Sequence, residues 1–369
     1  MRSRTLETID FVKQVFIRSR GHGDIEDPDS QPIFVRPIDI LDRNGQPIPQ
    51  HTLQRCWERA VDDGYAFRWS KHVYGGGGRN RNVCAKYKLD RDRILRELGP
   101  ALFEAPKPTM LDANEEIKPE MFVNGGGGEG KGKSLIWRVP VGLLASVNSA
   151  IEHPSSILTW DAYVKTYNGM RVIGGRMSSG NCAVRRKERA IACPHLFADG
   201  IAEHDIRSTV PAVVRLLNTG KWINAGQDLK TEIYEEAGLT LPKRRFKPIL
   251  LTIMFTKSIA QAWNNFNHNT RNHETLRITR TEFERLGGII DRKIGKNPWN
   301  GGIFYHESAI ELLAIRNMQR RGKFAGSVYD CFFYGGMSES DVEACIADAA
   351  NEYYENEFRP RLGRSAPRA

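Results

Sequence analysis

Two runs of four successive glycines interrupt the first 150 residues of this chain, at positions 75–78 and 125–128. Glycine loses more conformational freedom on folding than any other residue, so neither run belongs inside a helix or a strand. Regular structure in this part of the chain is therefore confined to short segments between loops.

The segments around the first glycine run predict a helix followed by a hairpin. Residues 50–65 carry apolar side chains at helical spacing, and residues 66–74 and 82–88 predict two strands. The tip between the strands contains Arg79 and Arg81, and residues 89–102 predict a charged amphipathic helix. This order resembles a winged-helix reader of nucleic acid, with a plain structural hairpin as the alternative.

The second glycine run leads into a string, residues 127–134, that satisfies the GxxxxGK[ST] pattern of P-loop NTPases. Such a loop follows a buried strand and opens a long helix, whereas here a strand-like segment and Pro140 follow. The pattern favours a glycine-lysine hairpin tip, and a P-loop NTPase stays as an alternative.

Charge and composition narrow the function classes. The chain has 369 residues, 40% of them hydrophobic, which is enough for a sizeable core. Its 54 Lys and Arg exceed its 44 Asp and Glu, giving a net charge of +10, which favours a nucleic-acid partner. No apolar run is long enough to cross a bilayer, and no apolar signal segment follows the N-terminus, so we expect no membrane partner.

The cysteines indicate a reducing compartment. The six cysteines form no CxxC pair and are too few for a disulfide framework in a chain of this length. Cys182, Cys193 and His195 suggest zinc ligands, but no fourth ligand is suitably spaced, so we interpret these cysteines as core residues.

Two aspartates stand in unusual surroundings. Asp205 lies between a loop turn and an apolar stretch, and Asp330 lies inside the apolar, aromatic residues 324–334. A carboxylate in such surroundings is costly unless a cation compensates it. Two such aspartates, with a Lys/Arg cluster at residues 243–247 between them, fit two-metal phosphoryl chemistry. The alternatives are ordinary structural carboxylates and a solvated charge run.

With the string Gly175-Arg-Met-Ser-Ser179 before them, these segments resemble the ordered motifs of family A DNA polymerases. That superfamily also contains the single-subunit phage RNA polymerases, and the resemblance covers residues 159–358 in a divergent, minimal form. It implies an α+β fold, with a right-hand palm and helical fingers. The implied division is a small α+β nucleic-acid-binding region (1–105), a thumb-like linker or hairpin (106–158), the polymerase core (159–358) and a basic disordered tail (359–369).

The resemblance assigns roles residue by residue. It makes Asp205 and Asp330 the catalytic ligands of two Mg²⁺ ions. The residues that it places around the incoming nucleotide are Lys243, Lys247, Phe255 and Val210. Those that it places on the primer-template are Arg176, Arg185, Arg186 and Arg189, for which a plain basic face is the alternative.

The sequence departs from the family pattern in several places. The third motif reads Tyr329-Asp330-Cys331, without the family's histidine and second carboxylate. Pro248 follows Lys247 directly, so the fingers helix is predicted to start at the proline, with Lys247 at its N-terminus. Val210 is intermediate in bulk between the residues that select the sugar in the DNA and RNA enzymes.

The function implied is template-directed nucleotidyl transfer onto a primer 3′-OH, as in DNA replication, without proofreading. We expect a monomer that binds primer-template and nucleoside triphosphates in the cytoplasm of a bacterial or phage-infected cell. An RNA-synthesising polymerase or primase of the same superfamily is the first alternative. A non-catalytic nucleic-acid-binding protein is the alternative from another class.

Overall fold

The computed structural model describes residues 6–360 except for 20–21, 27–31, 34, 36, 38–39, 43, 71–85, 105–140, 162–163, 168–169, 174, 240, 244–245, 257, 269–277 and 298–302. Both glycine runs, the P-loop-like string, Cys84, Arg79 and Arg81 lie outside the described residues. So does the predicted basic tail from residue 361 onward.

The described chain is an α+β fold of helices and small antiparallel sheets. The helices are α1 (Thr8–Ser19), α2 (Gln50–Asp62), α3 (Arg91–Leu98), α4 (Val141–Ser149), α5 (Arg189–Ala192), α6 (Thr209–Thr219), α7 (Leu229–Ala237), α8 (Phe246–Met254), α9 (Ile259–His268), α10 (Arg280–Lys293), α11 (Ile303–Arg321) and α12 (Glu339–Glu352). The strands are β1 (Ala66–Ser70), β2 (Lys86–Leu89), β3 (Leu158–Asp161), β4 (Val164–Tyr167), β5 (Met170–Ile173), β6 (Arg176–Ser179), β7 (Ile201–Asp205), β8 (Lys323–Val328) and β9 (Cys331–Gly335).

The predicted helix, hairpin and second helix of the N-terminal region are present. β1 and β2 pair antiparallel, with Ala66 opposite Leu89. The second helix, α3, is shorter than predicted, because the Asp90 carboxylate caps it by accepting the N–H of Arg93 at 2.9 Å. A 3₁₀ turn, Gly99–Glu104, replaces the last predicted helical turn.

A three-stranded sheet in the order β7-β9-β8 lies at the centre of the described chain. β8 and β9 form a hairpin, and β7 pairs with β9 so that Asp205 is opposite Cys331. Phe332 and Tyr334 face a core made mainly of helices α6 to α12, whereas Cys331 and Phe333 face a second core. Because both faces of the sheet are covered, the uninterrupted apolar character of this segment is explained.

The second core joins the N-terminal region to the sheet. It combines side chains of α1, α2, α3 and the β1-β2 hairpin with residues 182–196 and with one face of β8 and β9. Helix α4, the described part of the predicted thumb-like segment, lies beside α11, where Gln319 donates to the carbonyl of Val147 at 3.0 Å. The domain boundaries stay a prediction.

Within the described residues, no helix is both long and apolar enough to span a membrane.

Candidate active site

The fold brings Asp205 and Asp330 to neighbouring backbone positions although they are far apart in sequence. Asp205 is the last residue of β7, and Asp330 lies in the turn that joins β8 to β9. The N–H of Ile206 donates to the carbonyl of Asp330 at 3.0 Å. The two acidic residues therefore lie at the same end of the central sheet, and we call them the acid pair.

Local structure fixes Asp330 in a tight turn. Tyr329 has a φ of 55°, the left-handed conformation that a two-residue hairpin turn requires and that a bulky residue adopts at a cost. The hydroxyl of Thr209, at the start of α6, donates to Oδ2 of Asp330 at 2.5 Å. The apolar run around Asp330 therefore folds as two strands, with the aspartate between them rather than within one.

The acid pair carries mutually repulsive charge. Desolvation raises the pKa of Asp205, and the negative charges of Asp330 and Glu203 raise it further. The positive charge of Lys247 partly offsets this rise. A site that disfavours its own negative charge in this way is suited to a cation.

Lys247 lies at the start of a helix, as the sequence predicted. Helix α8 begins at Phe246, two residues before the predicted start at Pro248, and Lys247 is exposed in its first turn. Free backbone N–H groups and the helix dipole add to the lysine charge there, and Pro248 lacks only an N–H that the helix would not have used. This end of α8 is favourable for an anion.

Arg176 lies in an aromatic enclosure next to the acid pair. Its guanidinium carbon is 4.0 Å from the ring centre of Tyr329 and 5.2 Å from that of Phe304. Phe255 stacks on Phe304, with their ring centres 5.7 Å apart. The aromatic rings hold a cation beside Asp330 through favourable contact with its face.

Two buried glutamates on α11 complete the surroundings, and the sequence reasoning missed both. Glu307 is 2% exposed and Glu311 is 3% exposed. Nη2 of Arg176 lies 3.8 Å from Oε1 of Glu307. A signal was present in the sequence, because the two acids are four residues apart and share a helical stripe with Ile303, Ile310 and Ala314.

Other residues assigned by the resemblance lie elsewhere or make other contacts. Arg185 forms an ion pair with Asp24 at 2.7 Å. The charge of Arg189 acts on the buried thiols of Cys193 and Cys331, whose pKa values are raised mainly by burial. The remaining three residues are two exposed cations and one half-buried side chain that packs against the helical core, namely Arg186, Lys243 and Val210.

A different cluster of potential metal ligands lies on the opposite side of β7. One ligand atom from each of His204, Glu339 and Glu343 lies within 4.8 Å of the other two. Successive strand residues point to opposite faces, so His204 points away from the face of Asp205. The cluster borders a cavity of about 470 Å³ whose wall includes Trp222. The sequence reasoning did not single out this cluster, whose members come from distant segments.

Glu307 should make the protein less stable as the pH rises from about 4.5 to about 7. Burial raises the pKa of its carboxyl from the usual 4.5 to about 7, so the folded state keeps a proton that the unfolded state releases. At about 1.4 kcal/mol per pKa unit, the free energy of unfolding should fall by about 3 kcal/mol across this interval. Urea unfolding of the wild type and of Glu307→Gln, at a series of pH values, measures the difference.

The exposed Glu235 provides the control for this measurement. Glu235→Gln should follow the wild type at every pH, because its side chain is open to water in the folded state. A wild-type curve parallel to that of Glu307→Gln would show that Glu307 does not retain the proton.

The chain matches no family model. No curated protein matches it either. Among solved structures it has a weak likeness to the POL domain of Pol1 from M. smegmatis, in complex with DNA primer-template and dNTP. The TM-score is 0.32 and the sequence identity 12%, and the match covers 98% of this chain and 63% of that chain. This chain therefore spans less than two thirds of that chain's length, and its activity has to be argued from its own residues.

Proposed function

We propose that the chain is a template-directed nucleotidyltransferase of the DNA polymerase type, which extends a primer 3′-OH with a nucleoside triphosphate. The observation that carries the proposal is the acid pair, two aspartates from distant segments whose backbones are joined by a hydrogen bond at one end of the central sheet. Their order with Arg176 and Lys247 along the chain is the order that the family A resemblance implies. An RNA product is the alternative within the same chemistry.

The residues around the acid pair fit a divalent cation site. Mg²⁺ prefers carboxylate oxygens, and the raised pKa of Asp205 indicates negative charge without enough compensation. Asp205 and Asp330 would hold two Mg²⁺ ions. When bound, such ions neutralise charge on phosphate oxygens and polarise the reacting phosphoryl group.

The chain's own cations would orient the substrates. Lys247, near the acid pair and at the N-terminus of α8, suits the triphosphate of the incoming nucleotide. Arg176, held between Tyr329 and Phe304, would approach the primer terminus from the other side. This arrangement would align the 3′-OH with the α-phosphate, and positioning of this kind lowers the barrier to phosphoryl transfer.

A primer-extension assay tests the proposal. DNA and RNA templates are each combined with dNTPs or NTPs in the presence of Mg²⁺, and incorporation is followed on a gel. We expect extension of a primed DNA template with dNTPs. Extension with NTPs alone would favour the RNA-synthesising alternative, and incorporation in none of the four combinations would contradict the proposal.

Lys247→Ala should lower kcat/KM for the incoming nucleotide by about tenfold or more. A charge-assisted contact to phosphate is typically worth about 1.5–3 kcal/mol, and this one would be lost. Single-nucleotide incorporation kinetics measure the effect. Lys221→Ala, at another exposed lysine, is the matched control and should be unchanged. Equal values for both variants would remove Lys247 from the nucleotide site.

A second candidate, a nucleic-acid-binding role without catalysis, is favoured by the β1-β2 hairpin. Phe67 is 59% exposed and Trp69 is 57% exposed on β1. Arg68 and Lys86 are exposed on the same two strands, and the Lys88 ammonium lies 4.4 Å from the ring centre of Trp69. Exposed rings beside cations form a stacking platform for single-stranded nucleic acid.

Trp69→Ala should weaken binding of single-stranded DNA by about 5- to 150-fold. Stacking of one base on an aromatic side chain is worth about 1–3 kcal/mol. Fluorescence anisotropy with a labelled oligonucleotide measures the affinity. Phe197→Ala, at an exposed aromatic residue outside the hairpin, should leave it unchanged. Equal affinities of Trp69→Ala and the wild type would exclude the hairpin as a stacking platform.

A further inference from the structure

The two glutamates of α11 are an energetic anomaly. Glu307 and Glu311 are almost completely buried, and each has one carboxyl oxygen, Oε2 and Oε1 respectively, with no hydrogen-bond partner among the described residues. An unpartnered buried carboxyl costs several kcal/mol whether it is charged or protonated. A sequence that keeps two of them one helical turn apart points to a ligand that is bound during function.

Contacts on both sides of Glu307 show which way this part of α11 faces. The hydroxyl of Ser308 accepts the N–H of Met177 at 2.7 Å, which fixes this turn of α11 against β6. Oε1 of Glu307 lies 3.8 Å from Arg176, whose guanidinium is stacked on Tyr329, the residue before Asp330. The Glu307 carboxyl therefore lies beside the turn that carries Asp330.

The electrostatic neighbours distinguish Glu307 from Glu311. Burial raises the pKa of Glu307 most, and the charges of Asp330 and Lys247 also act on it, in opposite directions. Glu311 is likewise raised mainly by burial, followed by Glu307 and Asp330, but Lys247 is not among its neighbours. Glu307 is thus the glutamate nearer to the side of the site where Lys247 and Asp205 lie.

The local balance of charge favours a cation over a further protein contact. Three carboxyl groups, those of Asp205, Asp330 and Glu307, share two neighbouring cationic side chains. Arg176 is too far from Glu307 for a hydrogen bond, and its own Nε is buried without a partner in the described chain. The chemistry that satisfies several convergent carboxylate oxygens at once is a hard divalent cation.

We propose that Glu307 is a third carboxylate ligand of the divalent cation site at Asp205 and Asp330. This inference rests on the proposed function, because it uses the same cation site. Glu311, one turn further along α11, supports the local charge but does not ligate the ion.

Binding of Mn²⁺ to the full chain, measured by electron paramagnetic resonance titration without substrate, tests the inference. Glu307→Gln keeps the size of the side chain and removes its charge, and it should weaken Mn²⁺ binding by about tenfold or more. That loss is at least what mutation of groups that only support metal ligands produces. Glu311→Gln is the matched control, and its Mn²⁺ affinity should stay within about threefold of the wild type.

The outcomes separate this inference from the proposed function. Asp330→Asn should abolish Mn²⁺ binding if the cation site exists. If Asp330→Asn weakens binding but Glu307→Gln does not, the inference is overturned and the proposed function stands. If the wild type binds no Mn²⁺, both are overturned. Should Glu307→Gln fail to fold, Glu307→Asp replaces it, and wild-type affinity in that variant would overturn the inference.

Discussion

Asp330→Asn is expected to lower the rate of nucleotide incorporation by about 10³-fold or more. The change keeps the hydrogen-bonding shape of the side chain but removes a charge that would hold the cation, and such ions contribute several kcal/mol of transition-state stabilisation. The Thr209 hydroxyl, 2.5 Å from Oδ2, can still donate to the amide oxygen, so the turn should remain folded. Single-turnover primer extension measures the loss, and Asp205→Asn should behave in the same way.

The controls for this prediction separate chemistry from binding and folding. Asp291→Asn changes an exposed aspartate on α10 and should extend primers at the wild-type rate. Affinity for primer-template should stay nearly unchanged in Asp330→Asn, because phosphate contacts from Lys and Arg dominate such binding. Wild-type incorporation by Asp330→Asn would refute the assignment of the acid pair as catalytic.

Glu188→Ala is expected to lower the free energy of unfolding by about 3–5 kcal/mol. Glu188 is 2% exposed and Arg91 is fully buried, and the guanidinium donates to both carboxylate oxygens, at 3.0 and 2.9 Å. Removing one partner leaves the other charge buried without compensation, which accounts for a cost of this size. Arg91 also donates to the hydroxyl of Ser19 and the carbonyl of Ala183, so its position is fixed. Urea unfolding monitored by circular dichroism measures the loss.

An exposed ion pair of similar length is the matched control. Arg280 and Glu284 lie 2.8 Å apart, and their side chains are 64% and 47% exposed. Glu284→Ala should cost less than about 1 kcal/mol, because water solvates both charges in the absence of the pair. If Glu188→Ala cost no more than Glu284→Ala, the buried pair would not join the N-terminal region to the rest of the core.

Acid should weaken the same contact. Although desolvation opposes ionisation of Glu188, the hydrogen bonds and charge of Arg91 lower its pKa. A lowered pKa contributes stability that is present above the usual value of about 4.3 and is lost as the pH falls. Glu188 and Glu307 thus act in opposite directions, since the raised pKa of Glu307 contributes stability at low pH.

The elements that the sequence predicted well depend on signals close in the chain. Helix α2 and the β1-β2 hairpin follow from the spacing of apolar residues and from the turn between them. The position of Lys247 in the first turn of α8 follows from Pro248, whose fixed backbone angle suits a helix start. In each case, the residues that decide the structure are neighbours in sequence.

The surroundings of the acid pair depend on contacts that no local pattern contains. Four arginines were grouped as one nucleic-acid-binding set, but Arg185 is paired with Asp24, and Arg176 is stacked on Tyr329. Their sequence neighbourhoods do not distinguish these two roles, because the partner of each lies more than a hundred residues away.

The sequence by itself determined where the helices and strands of the hairpin region begin, that Asp205 and Asp330 lie in surroundings costly for a charge, and that Lys247 opens a helix. Only the tertiary structure decided that β7 pairs with β9 and so brings the two aspartates together, and that Glu307 and Glu311 are buried beside them. The physical reason is that capping and periodicity act over a few residues, whereas strand pairing and burial depend on which distant surfaces exclude water together.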